Sequence, residues 1–172
     1  MRRRAVIGTA TLTVLVASPM APVSASARPS VPNGTVLCFG AEADIVGTPG
    51  DDMLEGTPEN DVIAGLGGDD TIVGAGRGDV ICGGTGLDTL IGNGGNDSML
   101  GGGGADIMSG SGGEDLMYGN AGSDTINGGA ADDVLDGGAG GDELRGLGGD
   151  DEAFGGHGSD ACVAETEVDC ER

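Results

Sequence analysis

From Gly47 to Val163 the chain can be cut every nine residues without a gap, and all thirteen blocks share one pattern. Position 1 is Gly in all thirteen blocks and position 6 is Asp in all thirteen. Position 4 is Gly in ten, the exceptions being Glu59, Arg77 and Ala131. Position 8 is Leu, Ile or Met in eleven, and only Ala153 and Cys162 depart. A fixed short period is the mark of stacked supersecondary units, each too small to bury its apolar face alone. Composition excludes the ordinary alternative. With 39 Gly, no Trp and only Phe39, Tyr118 and Phe154 as aromatics, the 172 residues cannot build a conventional core. A net charge of −22 with so few aromatics otherwise describes a disordered chain. Thirteen blocks in unbroken register displace that reading.

Each block divides in two. Positions 1 to 6 are rich in Gly, Asn and Asp, which tolerate positive φ and tight turns. Positions 7 to 9 favour Val, Ile, Leu, Thr and Met, a three-residue strand whose middle side chain faces one way. One turn and one strand make half a coil, so two blocks close an 18-residue coil of a flattened parallel roll. The inward seam is then Leu54, Ile63, Ile72, Ile81, Leu90, Met99, Met108, Met117, Ile126, Leu135 and Leu144. The aspartates fall on two edges. Asp52, Asp70, Asp88, Asp106, Asp124, Asp142 and Asp160 lie on the odd edge, and Asp61, Asp79, Asp97, Asp115, Asp133 and Asp151 on the even edge. Coils stack about 4.8 Å apart, so each edge carries a ladder of like charges that repel unless a cation lies between them. Calcium takes six to eight oxygens at about 2.3–2.6 Å and accepts irregular geometry. Carboxylates and carbonyls of successive Gly-rich turns suit it.

The blocks, for example GLGGDDTIV and GNGGNDSML, resemble the RTX, or haemolysin-type, calcium-binding nonapeptide G-G-x-G-x-D-x-U-x. The resemblance covers 117 of the 145 residues left once a 27-residue leader is removed. It implies an all-β fold, a right-handed parallel β-roll (solenoid) with two short-stranded parallel sheets, and multiple Ca2+ ions held by the thirteen aspartates. Six gaps on the odd edge and five on the even set a ceiling of roughly eleven ions. All seven odd blocks keep Gly at position 4, whereas Glu59, Arg77 and Ala131 lie on the even edge. The odd edge is therefore expected to hold calcium more tightly.

The ends read differently. Arg2 to Arg4, the apolar run Ala5–Ala17 and the small-residue site Ala25-Ser26-Ala27 have the layout of a secretory signal peptide, and the run is too short for a membrane span. Cleavage there leaves four Arg against 29 acids, a formal charge of −25. The expected organisation is a leader over 1–27, an N-terminal segment over 28–46, the repeats over 47–163 and a C-terminal cap over 164–172. Export makes Cys38, Cys82, Cys162 and Cys170 disulfide partners. Residues 36–46 can lie on the even face, where Cys38 can reach Cys82, and Cys162 with Cys170 would close a short loop after the last repeat. In this arrangement of leader, cysteines and repeats the chain resembles small actinobacterial-type secreted calcium-binding proteins that carry no toxin or enzyme domain.

Most outward positions on the even face are apolar (Val62, Ala64, Val80, Cys82, Leu100, Leu116, Tyr118, Val134, Phe154), an interaction signal that fits a protein or cell-envelope partner. The odd face reads as more polar. The charge argues against nucleic acid. The only His, His157, sits at a variable turn position, so histidine-based nucleophilic or zinc chemistry lacks its parts. The expected function is a secreted, extracellular, non-enzymatic protein that folds on binding calcium, with a calcium-dependent adhesive module of the cell envelope as the alternative.

Overall fold

The computed structural model describes residues 23–24 and 35–170. The expected leader, apart from Val23 and Ser24, lies outside the described residues. Strand-forming side chains at positions 7 to 9 begin a strand in every block. Near the N-terminus these are preceded by β1 (Val23–Ser24), β2 (Leu37–Cys38), β3 (Ala41–Glu42) and β4 (Ile45–Val46). The repeats then supply β5 (Met53–Glu55), β6 (Val62–Gly67), β7 (Thr71–Gly76), β8 (Val80–Thr85), β9 (Thr89–Gly94), β10 (Ser98–Gly103) and β11 (Ile107–Gly112). They continue as β12 (Leu116–Ala121), β13 (Thr125–Ala130), β14 (Val134–Gly140), β15 (Glu143–Gly148), β16 (Glu152–Gly158) and β17 (Ala161–Val163), and β18 (Thr166–Val168) follows in the tail.

Successive strands alternate between two parallel sheets, in the orders β1-β5-β7-β9-β11-β13-β15-β17 and β18-β16-β14-β12-β10-β8-β6-β4. Register partners such as Ile81↔Met99 and Met99↔Met117 are 18 residues apart, so one coil is two blocks. The two sheets enclose one thin seam. All eleven side chains expected inside, Leu54 through Leu144, are 0% exposed. Ile45 begins the seam, and Ala153 with the adjoining Cys162 and Ala164 ends it.

The central strands are longer than the three residues expected. Pairing between coils resumes after position 1, as Gly102↔Gly84 and Gly103↔Thr85 follow Leu100↔Cys82 with Gly101 passed over. Hydrogen bonding extends even into the turn, where the Gly68 N–H donates to the Thr85 carbonyl at 2.9 Å. The physical reason is that a bend at position 1 need not end a ladder when every coil bends at the same place.

Of residues 36–46, expected on the even face, the β2–β3 hairpin lies over that face, whereas Ile45–Val46 extend the sheet itself by pairing with β6. This antiparallel hairpin turns at Phe39 and Gly40, both with positive φ (51° and 83°). Cys38 is 1% exposed and bonded to Cys82, and the Phe39 ring stands 6.1 Å from that of Tyr118. The even face is thus partly occupied by the chain itself. The second disulfide joins Cys162 to Cys170. The odd face is less polar than expected, because Met53 and Ile107 stand 47% and 54% exposed on it. Among the described residues no helix is long and apolar enough to cross a membrane.

A cavity in this one-layer seam has few neighbours to collapse into it. Leu90→Ala is expected to destabilise the folded roll by about 2–5 kcal/mol in a urea titration. Leu87→Ala, at a side chain 57% exposed, should change it by no more than about 0.5 kcal/mol.

Candidate metal centre

Every position-6 aspartate folds back across its own turn, and its two carboxylate oxygens meet different surroundings. From Asp70 onward, Oδ1 accepts the backbone N–H of the aspartate 18 residues earlier. Asp52 donates to Asp70 at 2.8 Å, Asp70 to Asp88 at 2.9 Å, and so on to Asp142 and Asp160 at 3.0 Å on the odd edge. The even edge repeats this from Asp61 to Asp79 at 2.8 Å and onward to Asp133 and Asp151 at 2.9 Å. The carboxylates therefore stitch coil to coil as well as lining up.

The other oxygen is left over. Oδ2 is buried and has no hydrogen-bond partner at Asp70, Asp79, Asp88, Asp97, Asp106, Asp115, Asp124, Asp133, Asp142, Asp151 and Asp160. Those eleven residues are only 1–2% exposed. Buried polar atoms are normally satisfied, so a periodic set of orphans points to something that satisfies them. The invariant position-1 glycine belongs to the same space. A Cβ at Gly65 would collide with Asp70 Oδ2 and with the carbonyl of Gly83 in the next coil, and Gly83, Gly101 and Gly119 repeat the arrangement. Glycine keeps open a pocket framed by a carboxylate oxygen and a carbonyl.

Backbone conformation explains why the turn cannot satisfy Oδ2 itself. Position 2 has positive φ in all eleven turns from Leu66 to Gly156, and position 4 likewise from Gly68 to Gly158. At position 4 this favours glycine. Arg77 (82°) and Ala131 (81°) hold the same conformation with a Cβ and are strained, which distinguishes the even edge. Arg77 does not turn its charge into the ladder: it pairs with Glu59 of the preceding coil at 3.1 Å, both side chains being largely exposed.

The first turn on each edge differs, and block spacing alone did not reveal it. Asp52 Oδ2 accepts from the Thr48 N–H (2.6 Å) and hydroxyl (2.9 Å). Asp61 Oδ2 accepts from the Thr57 N–H (2.6 Å) and hydroxyl (2.8 Å). The sequence signal was the pair of Thr-Pro dipeptides, Thr48-Pro49 and Thr57-Pro58. A second ladder was also unforeseen. Outward-facing Asp51 and Asp69 accept the position-5 N–H of the next coil at 2.9 and 2.8 Å, as do Asn96 and Asp132. At the C-terminal end Glu165 accepts the Asp151 N–H at 3.0 Å, doing for the last even turn what a further repeat would do.

Burial raises the carboxyls. Asp97 is pushed up to about 7 by desolvation, which the N–H of Asp79 partly offsets and the charges of Asp115 and Asp79 reinforce. Asp70, Asp106 and Asp133 are pushed up to about 6, again chiefly by desolvation. Desolvation also raises Asp79, Asp88, Asp115, Asp124 and Asp142. A bare carboxylate is disfavoured in these turns, so a proton or a cation must accompany it. The donors are all hard oxygens, which suit calcium rather than soft-ligand metals. Among the described residues no three His, Cys, Asp or Glu side chains converge on one point. A cation here needs backbone carbonyls as well as aspartate.

The family model described as RTX calcium-binding nonapeptide repeat (4 copies) matches residues 46–81, 73–108, 83–117, 109–144 and 136–166. No curated relative matches the chain. With most of its length covered by that model, the chain belongs to the RTX calcium-binding repeat family.

The raised carboxyls set a pH dependence for the metal-free chain. Their folded values, about 6 to 7, exceed the ordinary 3.8. The folded state therefore binds more protons, and its stability is greatest below pH ~4 and lost as pH rises through ~6–7. After calcium is stripped by ion exchange, circular dichroism is expected to show more β-structure at pH 4.5 than at pH 8.

Proposed function

We propose that this RTX-repeat protein is a secreted calcium binder that folds as calcium enters its stacked turns. The single observation that carries the reading is the row of eleven buried, unpartnered Oδ2 atoms, six on the odd edge and five on the even. Their number equals the number of gaps between successive aspartates on the two edges, so about eleven ions is the capacity this reading assigns. In it, the thirteen position-6 aspartates from Asp52 to Asp160 are the carboxylate ligands, eleven of them through a buried Oδ2, and carbonyls of the Gly-rich turns complete each shell. A leader over 1–27, a segment over 28–46, the roll over 47–163 and a cap over 164–172 make up the chain. The two disulfides fit an oxidising compartment.

Folding and binding are coupled by charge. The net charge of −22 opposes compaction, and each orphaned oxygen adds a desolvation penalty of about 1–3 kcal/mol when its turn forms without a cation. Calcium removes both, so its binding free energy becomes folding free energy. Extracellular calcium modules commonly bind at about 10⁻⁴–10⁻³ M. In that range a chain stays open where calcium is scarce and folds where it is plentiful.

At pH 7.5, calcium is expected to bring about a cooperative gain of β-structure by circular dichroism, and chelator to reverse it. A β-rich spectrum indifferent to chelator would refute the coupling. Asp97→Asn keeps the shape of the side chain but loses its charge, and should raise the calcium midpoint about three- to tenfold, equivalent to about 0.7–1.4 kcal/mol. Asp69→Asn, on the exposed ladder, should leave the midpoint within about twofold.

A further inference from the structure

The thirteen turns are not equivalent in what they require. Eleven bury an Oδ2 with no partner, while Asp52 and Asp61 each have theirs held by a threonine. The difference follows from the Thr-Pro dipeptide. In the later turns position 2 has positive φ. Proline restricts the residue before it to extended conformations, and Thr48 and Thr57 are not among the positive-φ residues. Held extended, each directs its N–H at the carboxylate, and its hydroxyl adds a second donor. Two donors from the turn itself thus stand where the other turns present a bare oxygen.

We propose that Thr48 and Thr57 replace the cation in the first turn of each edge, so that the N-terminal coil closes at less calcium than the later coils require and the ion-filled ladder grows from it toward the C-terminus. This rests on the calcium reading given above. It removes Asp52 and Asp61 Oδ2 from the set of ligands and gives the roll a direction. The first coil presents a finished template, with the Asp52 and Asp61 N–H groups ready to receive the carboxylates of Asp70 and Asp79 at 2.8 Å. The Cys38–Cys82 bond fastens the β2–β3 hairpin over the same end. Each further coil adds an orphaned oxygen on each edge and so requires calcium to join.

The test is hydrogen exchange followed by mass spectrometry on the full chain at pH 7.5, across a calcium chloride titration. Peptides within residues 47–64 are expected to gain protection at a calcium concentration at least threefold below that needed by peptides within 119–160. Val is β-branched like Thr but lacks the hydroxyl. The Thr48→Val/Thr57→Val variant should raise the midpoint of the first coil at least threefold, and Thr48→Ser/Thr57→Ser should restore the early protection. If the Val variant does not fold at any calcium concentration, the order in the unmodified chain and in the Ser variant decides. Protection of 47–64 together with or after the rest overturns the proposal, as does a folded Val variant with an unmoved midpoint. A calcium response without that order sinks this proposal alone. No calcium response in any peptide sinks the calcium reading and this proposal with it.

Discussion

The structure depends on how one aspartate side chain divides its two oxygens. Oδ1 reaches to the neighbouring coil and accepts the N–H of the aspartate 18 residues before it, as in Asp79 to Asp97 at 2.7 Å. Oδ2 remains inside its own turn, buried and unpartnered. The first bond makes coils stack in one register. The second oxygen makes that stacking unfavourable unless a positive charge arrives. The bond that stacks the coils and the oxygen that the stacking leaves bare therefore belong to the same residue.

Glycine makes this division possible, for two separate reasons. At position 1 the need is space, since a Cβ on Gly83 would meet Asp88 Oδ2 and the Gly101 carbonyl. At position 4 conformation is needed as well as space, because φ is positive in every turn from Gly68 to Gly158 and a Cβ on Gly104 would meet the Gly86 carbonyl of the preceding coil. The first requirement admits no substitute in any block, and the second is met with strain by Arg77 and Ala131. The seam, a single layer of Leu, Ile and Met, adds cohesion but is too thin to offset a run of buried charges.

The two ends solve the problem of a finite ladder with side chains from outside the repeat pattern's fixed positions. At the N-terminal end Thr48 and Thr57 satisfy the carboxylates of the first turns. At the other end Glu165 accepts the N–H of Asp151, and the Cys162–Cys170 bond closes the loop that carries it. Repeat arrays need such ends because their terminal units have a neighbour on one side only.

Much of this was legible in the sequence. A nine-residue period with an apolar residue at position 8 determined the 18-residue coil and every member of the seam from Leu54 to Leu144, and the resemblance to the RTX repeat implied the two parallel sheets. Parity of the blocks placed the aspartates on two edges, and face assignment brought Cys38 to Cys82. Tertiary structure decided what periodicity does not encode. The six-residue strands, the position-5 ladder of Asp51 and Asp69 and the replacement role of Glu165 all depend on hydrogen bonds between coils. So does the unequal fate of the carboxylate oxygens, since it turns on where a position-2 N–H points. A repeat pattern states which residues recur, but the direction of a donor is set by backbone torsion and by the coil stacked against it.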